Sequence, residues 1–322
     1  MPCALARRRL GRTELMVSEV GFGSWGVGGK IWPGTHDATS LQALSCAFEA
    51  GVNFVDTALI YGQGHSERLI GEALKNRSEQ IYVGTKIPPT AGNWPAQAGV
   101  PFRKVFPLRH VKKCTEESLR NLRRDCIDLQ QFHLWNAEWD EDDDWHKAVE
   151  WIRSKARFVG ISVSDHLPDS VISTLQKGLI DCVQVIYNIF DPSPADKLFP
   201  CCQHLDVGII ARVPFDEGSL TGAITPETVF EPGDWRARYF AEDRKEQVWQ
   251  RVERLRHDMG SAEPLKHTAL RFCLSHPAVA TVIPGMRKAE HVQDNLEAAM
   301  AGPLPFTSLE LLARHRWARN FY

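Results

Sequence analysis

An acidic residue and a tyrosine stand five positions apart in the run Asn53–Gly62, which reads NFVDTALIYG. The first half of this run has β-strand character, and the segment that contains Tyr61 has the composition of a turn. Asp56 is therefore expected at the carboxyl end of a strand, with Tyr61 in the next loop. This placement suits catalysis at the mouth of a barrel of parallel strands. A phenol, whose pKa is ordinarily about 10, works as an acid near neutral pH when nearby positive charge lowers that pKa.

Two later strand-like runs each end on a basic residue that can join this pair. Val83–Lys86 ends in a lysine, and Leu129–His133 ends in a histidine. A lysine at the end of a buried strand needs a counter-ion, for which Asp56 is the candidate. A lone histidine at such a position is more often a hydrogen-bonded core residue. A function for His133 is therefore expected only because Asp56, Tyr61 and Lys86 are predicted to lie near it.

Four residues, in this order and each at a strand end, resemble the catalytic tetrad of the aldo-keto reductase superfamily: Asp56, Tyr61, Lys86 and His133. The likeness extends from Arg9-Leu-Gly-Arg-Thr to Ile283-Pro-Gly-Met-Arg-Lys and the helix beyond it. The resemblance implies a (β/α)8 barrel that transfers hydride between a nicotinamide cofactor and a carbonyl or alcohol substrate.

The resemblance also implies a role for each member of the tetrad. Tyr61 is expected to be the general acid that protonates the carbonyl oxygen, rather than an ordinary loop tyrosine. Lys86 is expected to lower the pKa of that phenol, with Asp56 as the counter-ion of the lysine. His133 is expected to orient the substrate carbonyl.

Contacts to the nicotinamide end of the cofactor are implied in the same way. Ser24 and Trp25 stand at the family's positions below the nicotinamide ribose, next to Asp56, and Ser162 and Gln184 match the residues that hold the amide. The chain departs from this pattern at two positions. The usual asparagine beside the serine is here Val163, and an aromatic residue that stacks on the nicotinamide is here Arg212.

The phosphate and adenosine ends are implied by two later motifs. The first resembles a loop that holds pyrophosphate through backbone amides, and its residues are Pro214, Phe215, Gly218 and Leu220. The alternative is a flexible glycine loop, which is less expected directly after Arg212-Val-Pro-Phe. The second motif resembles the adenosine site, and its residues are Gly285, Met286, Arg287, His291, Asp294 and Asn295. An arginine at a helix N-terminus is suited to the 2′-phosphate of NADP(H), although a solvated surface arginine is the alternative for Arg287.

Strand-like and helical runs alternate along the whole chain of 322 residues. Eight strands without polar alternation are predicted, as expected for parallel strands that are buried on both faces: Val20–Gly23, Asn53–Thr57, Gln80–Thr85, Leu129–His133, Phe158–Ser162, Cys182–Tyr187, Gly208–Val213 and Thr281–Ile283. Eight strand-helix units favour a single (β/α)8 barrel over residues 1–322 rather than an open doubly wound sheet. A hairpin over Arg8–Val17 precedes the first barrel strand.

Three long connections leave strand ends on the predicted substrate side: Pro88–Pro107, Trp135–Trp145 and Pro214–Phe240. Loops of this length are usually functional or disordered. They carry five tryptophans, namely Trp94, Trp135, Trp139, Trp145 and Trp235. Tryptophans of this kind suit either a sugar or an aromatic aldehyde.

Composition excludes several classes of function. A formal net charge of −2 gives no electrostatic basis for binding nucleic acid or a membrane surface. No apolar run is long enough to span a bilayer, and no secretory signal follows the arginines at positions 7 to 9. The eight cysteines show neither disulfide nor metal-ligand spacing, which predicts reduced thiols, a cytoplasmic location and no bound metal.

Together these observations predict an NADP(H)-dependent oxidoreductase that reduces an aldehyde or ketone, with NAD as the other possible cofactor. A catalytically slow redox sensor of the channel β-subunit type and an NAD-dependent sugar dehydrogenase are the alternatives. The substrate identity and the oligomeric state do not follow from the sequence.

Overall fold

The computed structural model describes residues 5–29, 32–260 and 263–321. Two short strands, β1 (Arg7–Arg9) and β2 (Met16–Ser18), form an antiparallel hairpin. Eight further strands form one parallel sheet in chain order: β3 (Phe22–Gly23), β4 (Phe54–Asp56), β5 (Tyr82–Ile87), β6 (Ile127–Phe132), β7 (Ala156–Ser162), β8 (Cys182–Ile186), β9 (Gly208–Arg212) and β10 (Thr281–Val282).

The first and last strands of this sheet meet, which makes the sheet a barrel. Parallel bridges join Val20 to Val282 and Gly23 to Gly285. Backbone bonds support them: Gly21 donates to the carbonyl of Val282 at 2.8 Å, and Gly23 donates to that of Pro284 at 3.0 Å. The predicted barrel of eight parallel strands and the predicted hairpin are both confirmed.

Gly21, Gly23 and Gly26 have the Gly-x-Gly-x-x-Gly spacing of a dinucleotide-binding open sheet, but packing in the barrel accounts for two of them. A Cβ atom at Gly23 would lie 2.6 Å from the carbonyl oxygen of Ile283. At Gly26 it would lie 2.6 Å from the side chain of Arg287. The closed topology of the sheet excludes the open-sheet alternative. These glycines instead permit close contacts where the first and last strands of the barrel meet.

The hairpin covers the end of the barrel where the strands begin. Leu10, Leu15 and Val17 are buried and pack with Phe54 and Leu129 inside the barrel. This apolar cluster fills the end of the barrel opposite the carboxyl ends of the strands, so among the described residues the barrel interior is closed at that end.

Helices surround the barrel: α1 (Asp37–Glu49), α2 (His65–Leu74), α3 (Phe102–Val105), α4 (Leu108–Leu122), α5 (Asp143–Arg153), α6 (Ile172–Gln176), α7 (Leu198–Leu205), α8 (Arg236–Tyr239), α9 (Arg244–Met259), α10 (Leu265–Ser275), α11 (Ala289–Met300) and α12 (Phe306–Ala313). Short 3₁₀ helices lie at Gly11–Thr13, Trp25–Val27, Ala137–Trp139, Pro168–Val171, Ser193–Ala195 and Asp216–Thr221. Within the described ranges, no helix has the length and apolar character that crossing a membrane requires.

Apolar faces at helical spacing attach these helices to the barrel. Leu44 and Phe48 of α1 are buried, with Gly51 in a left-handed conformation (φ 93°) just beyond the helix end. From the sequence, Ser40 is a plausible N-cap of this helix, because serine is a preferred N-cap and an apolar face begins directly after it. This prediction is wrong. The helix begins three residues earlier at Asp37, and Ser40 is a buried residue of its first turn.

The sequence places the tryptophan-rich loops on the substrate side, but the tryptophans of the Trp135–Trp145 loop are buried, and of the three only Trp135 borders the cleft. Trp135, Trp139 and Trp145 are each no more than 1% exposed, and Trp135 contacts the other two edge to face. Their indole N–H groups donate to the hydroxyl of Thr174 and to the carbonyls of Val100 and Asp140. An indole buries a large apolar surface once its single donor is satisfied, so these rings form a core beneath the loops.

Candidate active site

The structure brings the four tetrad residues together at the carboxyl ends of neighbouring strands. Asp56 is the last residue of β4, Lys86 lies near the end of β5, and His133 directly follows β6. Tyr61 lies in the turn between β4 and α2, where Gly62 and Gly64 take left-handed conformations (φ 63° and 80°) and return the chain towards the barrel.

Lys86 and Asp56 form a buried ion pair. The side chains are 1% and 4% exposed, and Nζ of Lys86 lies 2.8 and 2.7 Å from the two carboxylate oxygens of Asp56. The ammonium also donates to the carbonyl of Thr57 at 2.8 Å. Burial lowers the pKa of Lys86, and the charge of Asp56 opposes that change. The pair therefore holds an ammonium group in the wall of the site.

The phenol oxygen of Tyr61 lies 3.5 Å from Nζ of Lys86. The sequence predicted that the lysine would lower the phenol pKa, and this prediction is wrong. The pKa of Tyr61 lies well above its usual value because the site removes solvent from the phenol and because the charge of Asp56 disfavours phenolate. The positive charge of Arg212 opposes this rise. Tyr61 is thus held in its protonated form, which is the form that donates a proton.

His133 completes the group as a neutral imidazole. Burial, together with the positive charges of Lys86 and Arg212, lowers its pKa well below the usual value of 6.5. Its ring contacts Tyr61 and Trp94 edge to face, with centroid distances of 5.9 and 4.8 Å. Nδ1 is buried and has no hydrogen-bond partner among the residues that the structure describes.

A cleft of about 2430 Å³ runs from the tetrad across the barrel end to the start of α11. Many predicted cofactor contacts line it: Trp25, Asp56, Ser162, Gln184, Arg212, Pro214, Phe215, Gly218, Gly285, Arg287, His291, Asp294 and Asn295. Cβ atoms at Gly218 and Gly285 would meet nothing within 4 Å, so the backbone there is open to a ligand. These features fit an elongated ligand such as a dinucleotide.

Three predicted contacts do not line this cleft. Ser24, Leu220 and Met286 are completely buried. The Ser24 hydroxyl donates to the carbonyl of Asp56 at 2.7 Å, so it supports the strand end rather than facing the cleft.

At the tetrad end, two of the predicted nicotinamide contacts are already hydrogen-bonded within the protein. The amide of Gln184 donates to Oδ1 of Asp56 at 2.7 Å. Arg212 pairs with Asp165 and donates to the carbonyl of Val163 at 3.1 Å. Asp165 thereby offsets the positive charge of Arg212, the residue that takes the place of the expected aromatic side chain.

At the other end, Arg287 belongs to a cluster of rings and cations. Its guanidinium lies 5.0 Å from the centre of the Trp32 ring, and the guanidinium of Arg236 lies 5.2 Å from the same ring. Arg236 pairs with the buried Asp234 at 2.6 Å. Sequence reasoning missed Trp32 and Arg236, because they lie far from each other in the chain and no local motif marks them.

Lys266 was also missed. It is the second residue of α10, lines the cleft, and forms an ion pair of 2.5 Å with Asp294 of α11. The pair places a cation beside a carboxylate that, left alone, would repel a phosphate group. No sequence signal connects these two helices, so only the packing of α10 against α11 shows the pair.

Asp294 also lies in a cluster that the sequence did not predict. Potential ligand atoms of His267, Asp294 and Glu297 lie within 4.8 Å of one another. The ammonium of Lys266 contacts the same carboxylate, so a metal ion there would meet a fixed positive charge. The arrangement favours the ion pair over a metal site.

Comparison with known proteins places this fold and site in one family. Residues 19–315 match the model of the Aldo/keto reductase family. The chain is 27% identical over 311 residues to the uncharacterized oxidoreductase YqkF of Bacillus subtilis, covering 97% of this chain and 96% of that protein. It is 29% identical to the NADH-specific methylglyoxal reductase of Escherichia coli, covering 90% and 92%. The holo form of aldo-keto reductase AKR11C1 from Bacillus halodurans superposes with a TM-score of 0.77 at 27% identity, covering 98% and 97%. The chain belongs to the aldo/keto reductase family of oxidoreductases.

Proposed function

We propose that this oxidoreductase reduces an aldehyde or ketone to an alcohol with NADPH, and that Tyr61 is its general acid. The observation that carries the proposal is the buried Lys86, which contacts both carboxylate oxygens of Asp56 and faces the phenol oxygen of Tyr61 at 3.5 Å. An ion pair of this kind beside a protonated phenol is suited to proton transfer.

In the proposed reaction, the protein moves one proton. The cleft would hold a reduced nicotinamide, which would supply hydride to the carbonyl carbon. Tyr61 donates its proton to the carbonyl oxygen, and the ammonium of Lys86 stabilises the phenolate that remains. His133 stays neutral and orients the carbonyl. Ser162 and Gln184 would hold the nicotinamide, and the loop through Gly218 would hold the pyrophosphate.

The choice of NADP(H) over NAD rests on the charges around α11. Arg287 and the N-terminus of α11 supply positive potential, and Lys266 neutralises Asp294. An unpaired carboxylate at that position would instead favour a free ribose hydroxyl. The Escherichia coli relative is named as NADH-specific, so NAD remains the alternative that the cofactor measurement tests.

The mouth of the cleft favours an apolar or aromatic carbonyl substrate over a sugar. Ile60, Trp94 and Leu167 line it and are 49%, 47% and 61% exposed. Two of the polar side chains that line the cleft are engaged within the protein: Ser164 donates to the carbonyl of Trp135 at 2.8 Å, and Glu138 accepts from the backbone of Gly99 at 2.7 Å. A sugar would need several free polar partners there, whereas exposed apolar side chains suit an aryl or alkyl group.

The test is a panel of aromatic, aliphatic and sugar carbonyls with NADPH and with NADH, followed by the absorbance of the reduced nicotinamide. We expect turnover with NADPH, the highest kcat/KM for aromatic aldehydes, and weaker activity with NADH. No turnover of any carbonyl with either cofactor would contradict the proposed function.

Tyr61→Phe is the matched variant for the proton step, because it removes the hydroxyl and keeps the ring. Turnover should fall by about 10² or more, the usual scale of general acid catalysis, while the dissociation constant of NADPH stays close to that of the wild type. A Phe variant that keeps more than about a tenth of the activity would contradict the assignment.

A further inference from the structure

The C-terminal segment Trp317–Phe321 lies against the loop that follows β9. Arg319 of this segment forms an ion pair with Asp216, and the two side chains are 5% and 3% exposed. Asn320 and Phe321 of the segment line the cleft. The end of the chain thus contacts the cleft wall at the loop Val213–Gly222, which we call the cofactor loop.

The cofactor loop has an unusual backbone. Val213, Asp216 and Glu217 have left-handed φ angles of 57°, 49° and 56°. Gly218, which follows them in the chain, has φ 106°. A β-branched residue in this region is a conformational outlier. Residues of this kind persist only where the surrounding structure holds them, so the loop requires anchors outside itself.

Arg319 has the properties of such an anchor. Its guanidinium lies 4.3 Å from the ring centre of Trp317, 5.0 Å from that of Phe321 and 5.5 Å from that of Phe190. These rings restrict where the guanidinium can go, which leaves it directed at Asp216.

A second anchor connects the same elements. The backbone N–H of Trp317 donates to the carbonyl of Phe190 at 2.9 Å. Two residues before Phe190, the buried side chain of Asn188 donates to the carbonyl of Val213 at 3.0 Å. The cofactor loop is therefore held at Val213 through Asn188 and at Asp216 through Arg319.

We propose that Arg319 is a positioning residue for cofactor binding: by holding Asp216, it keeps the cofactor loop in the conformation that binds the pyrophosphate. This inference rests on the proposed function, in which that loop contacts the cofactor. Because the pyrophosphate is common to NADPH and NADH, loss of Arg319 should weaken both to a similar degree. It should leave the proton transfer at Tyr61 unchanged.

The test variant is Arg319→Met, which keeps an apolar stem among the aromatic rings and removes the charge. Arg319→Lys restores a cation and serves as the conservative variant. Arg316→Met is the matched control, because Arg316 directly precedes this segment and pairs with Asp196 at 2.8 Å, with both side chains about half exposed and outside the cleft.

Two measurements separate positioning from general damage. Hydrogen exchange of the cofactor-free proteins reports the order of residues 213–222, and tryptophan fluorescence quenching reports the dissociation constants of NADPH and NADH. For Arg319→Met we expect faster exchange at residues 213–222. We also expect both dissociation constants to rise on the order of tenfold, with kcat at saturating cofactor within about twofold of the wild type.

Arg319→Lys should bind both cofactors more tightly than Arg319→Met, and Arg316→Met should match the wild type. The inference is overturned if Arg319→Met folds with unchanged exchange and unchanged dissociation constants, or if only kcat falls. If Arg319→Met does not fold, Arg319→Lys is compared with Arg316→Met instead. The inference then requires the dissociation constants of both cofactors to rise for Arg319→Lys and to stay at the wild-type values for Arg316→Met. Failure of the wild type to bind either cofactor would instead contradict the proposed function, while the exchange data would still report the anchor.

Discussion

At the scale of single residues, the site depends on an ammonium group that has almost no access to solvent. Lys86 is 1% exposed and is surrounded by three oxygen acceptors, two of Asp56 and one of Thr57. An isolated buried charge would be strongly unfavourable, so the geometry of the pair keeps Lys86 charged beside Tyr61. Function and stability are therefore coupled at this point.

Asp56→Asn should destabilise the protein as well as impair turnover, because it leaves Lys86 buried without its counter-charge. Breaking a buried pair in this way costs about 3–5 kcal/mol, which urea denaturation can measure. The double variant Asp56→Asn/Lys86→Met removes both charges and should be more stable than the single variant. A single variant with the stability of the wild type would contradict the burial of this pair.

His133 makes a residue-scale contribution to the dependence of stability on pH. Its pKa in the folded protein lies well below 6.5, so the unfolded chain binds more protons as pH falls below that value. The stability that neutral His133 provides is thus present above about pH 6.5 and is lost at lower pH. As pH falls from about 7.5 to about 5.5, this effect should lower the free energy of unfolding by on the order of 1 kcal/mol.

His133→Gln should make the loss of stability over that interval shallower by about the same amount, measured by urea denaturation at each pH. It should not abolish the loss, because burial also lowers the pKa values of His276, His291 and His315. An unchanged pH dependence in the variant would show that His133 titrates normally in the folded state.

At the scale of elements, the loops beyond the strand ends divide into a structural and a binding part. The loop after β6 folds its tryptophans inward, where Trp139 packs between Phe102, Phe106 and Trp135. The loop after β5 instead leaves Trp94 47% exposed, with its ring against His133. Composition alone does not separate the two, because an indole serves equally well in a core and at a binding surface.

Trp139→Ala should accordingly affect stability, whereas Trp94→Ala should affect substrate binding. The first removes a fully buried ring and should cost about 3–5 kcal/mol of stability. The second should change stability by no more than about 0.5 kcal/mol, yet raise KM for aromatic aldehydes. Chemical denaturation and steady-state kinetics on both variants check this, and a large stability loss for Trp94→Ala would show that its ring belongs to the core.

At the scale of the whole molecule, the cleft is assembled from distant parts of the chain. Trp32 precedes α1, Arg236 follows β9, and Arg287 follows β10, yet the three side chains stack together. A ligand that contacts all these parts binds only the folded barrel. At a concentration about one hundred times its dissociation constant, such a ligand stabilises the folded state by about 2.7 kcal/mol.

NADPH should therefore raise the melting temperature by several degrees, and NADH at equal concentration should raise it less. Arg287→Ala should weaken NADPH by about 2–3 kcal/mol and NADH much less, because only NADPH carries the 2′-phosphate. Lys288→Ala is the control that removes the same charge from an exposed position in the same turn. Equal losses for the two cofactors, or a wild type that prefers NADH, would overturn the assignment of the phosphate site.

The sequence by itself determined the order of strands and helices and the strand ends that carry Asp56, Lys86 and His133. Such features depend on local periodicity and on the period of the strand-helix unit, and both can be read from one sequence. It also indicated Arg287, since a basic residue at a helix start is a local pattern. The bounds of single elements followed less well: α1 begins at Asp37 without a side-chain cap, so the preference of serine for the N-cap pointed to the wrong start at Ser40.

Only the tertiary structure decided what each side chain meets. Lys266 with Asp294 and Arg319 with Asp216 pair elements that are 28 and 103 residues apart, and no local pattern connects them. The direction of the Tyr61 pKa was decided in the same way. The sequence shows the cation Lys86, but in the folded site the loss of solvent and the charge of Asp56 raise the pKa of the phenol. Electrostatic effects of this kind depend on distance and on the exclusion of water, which exist only once the barrel has formed.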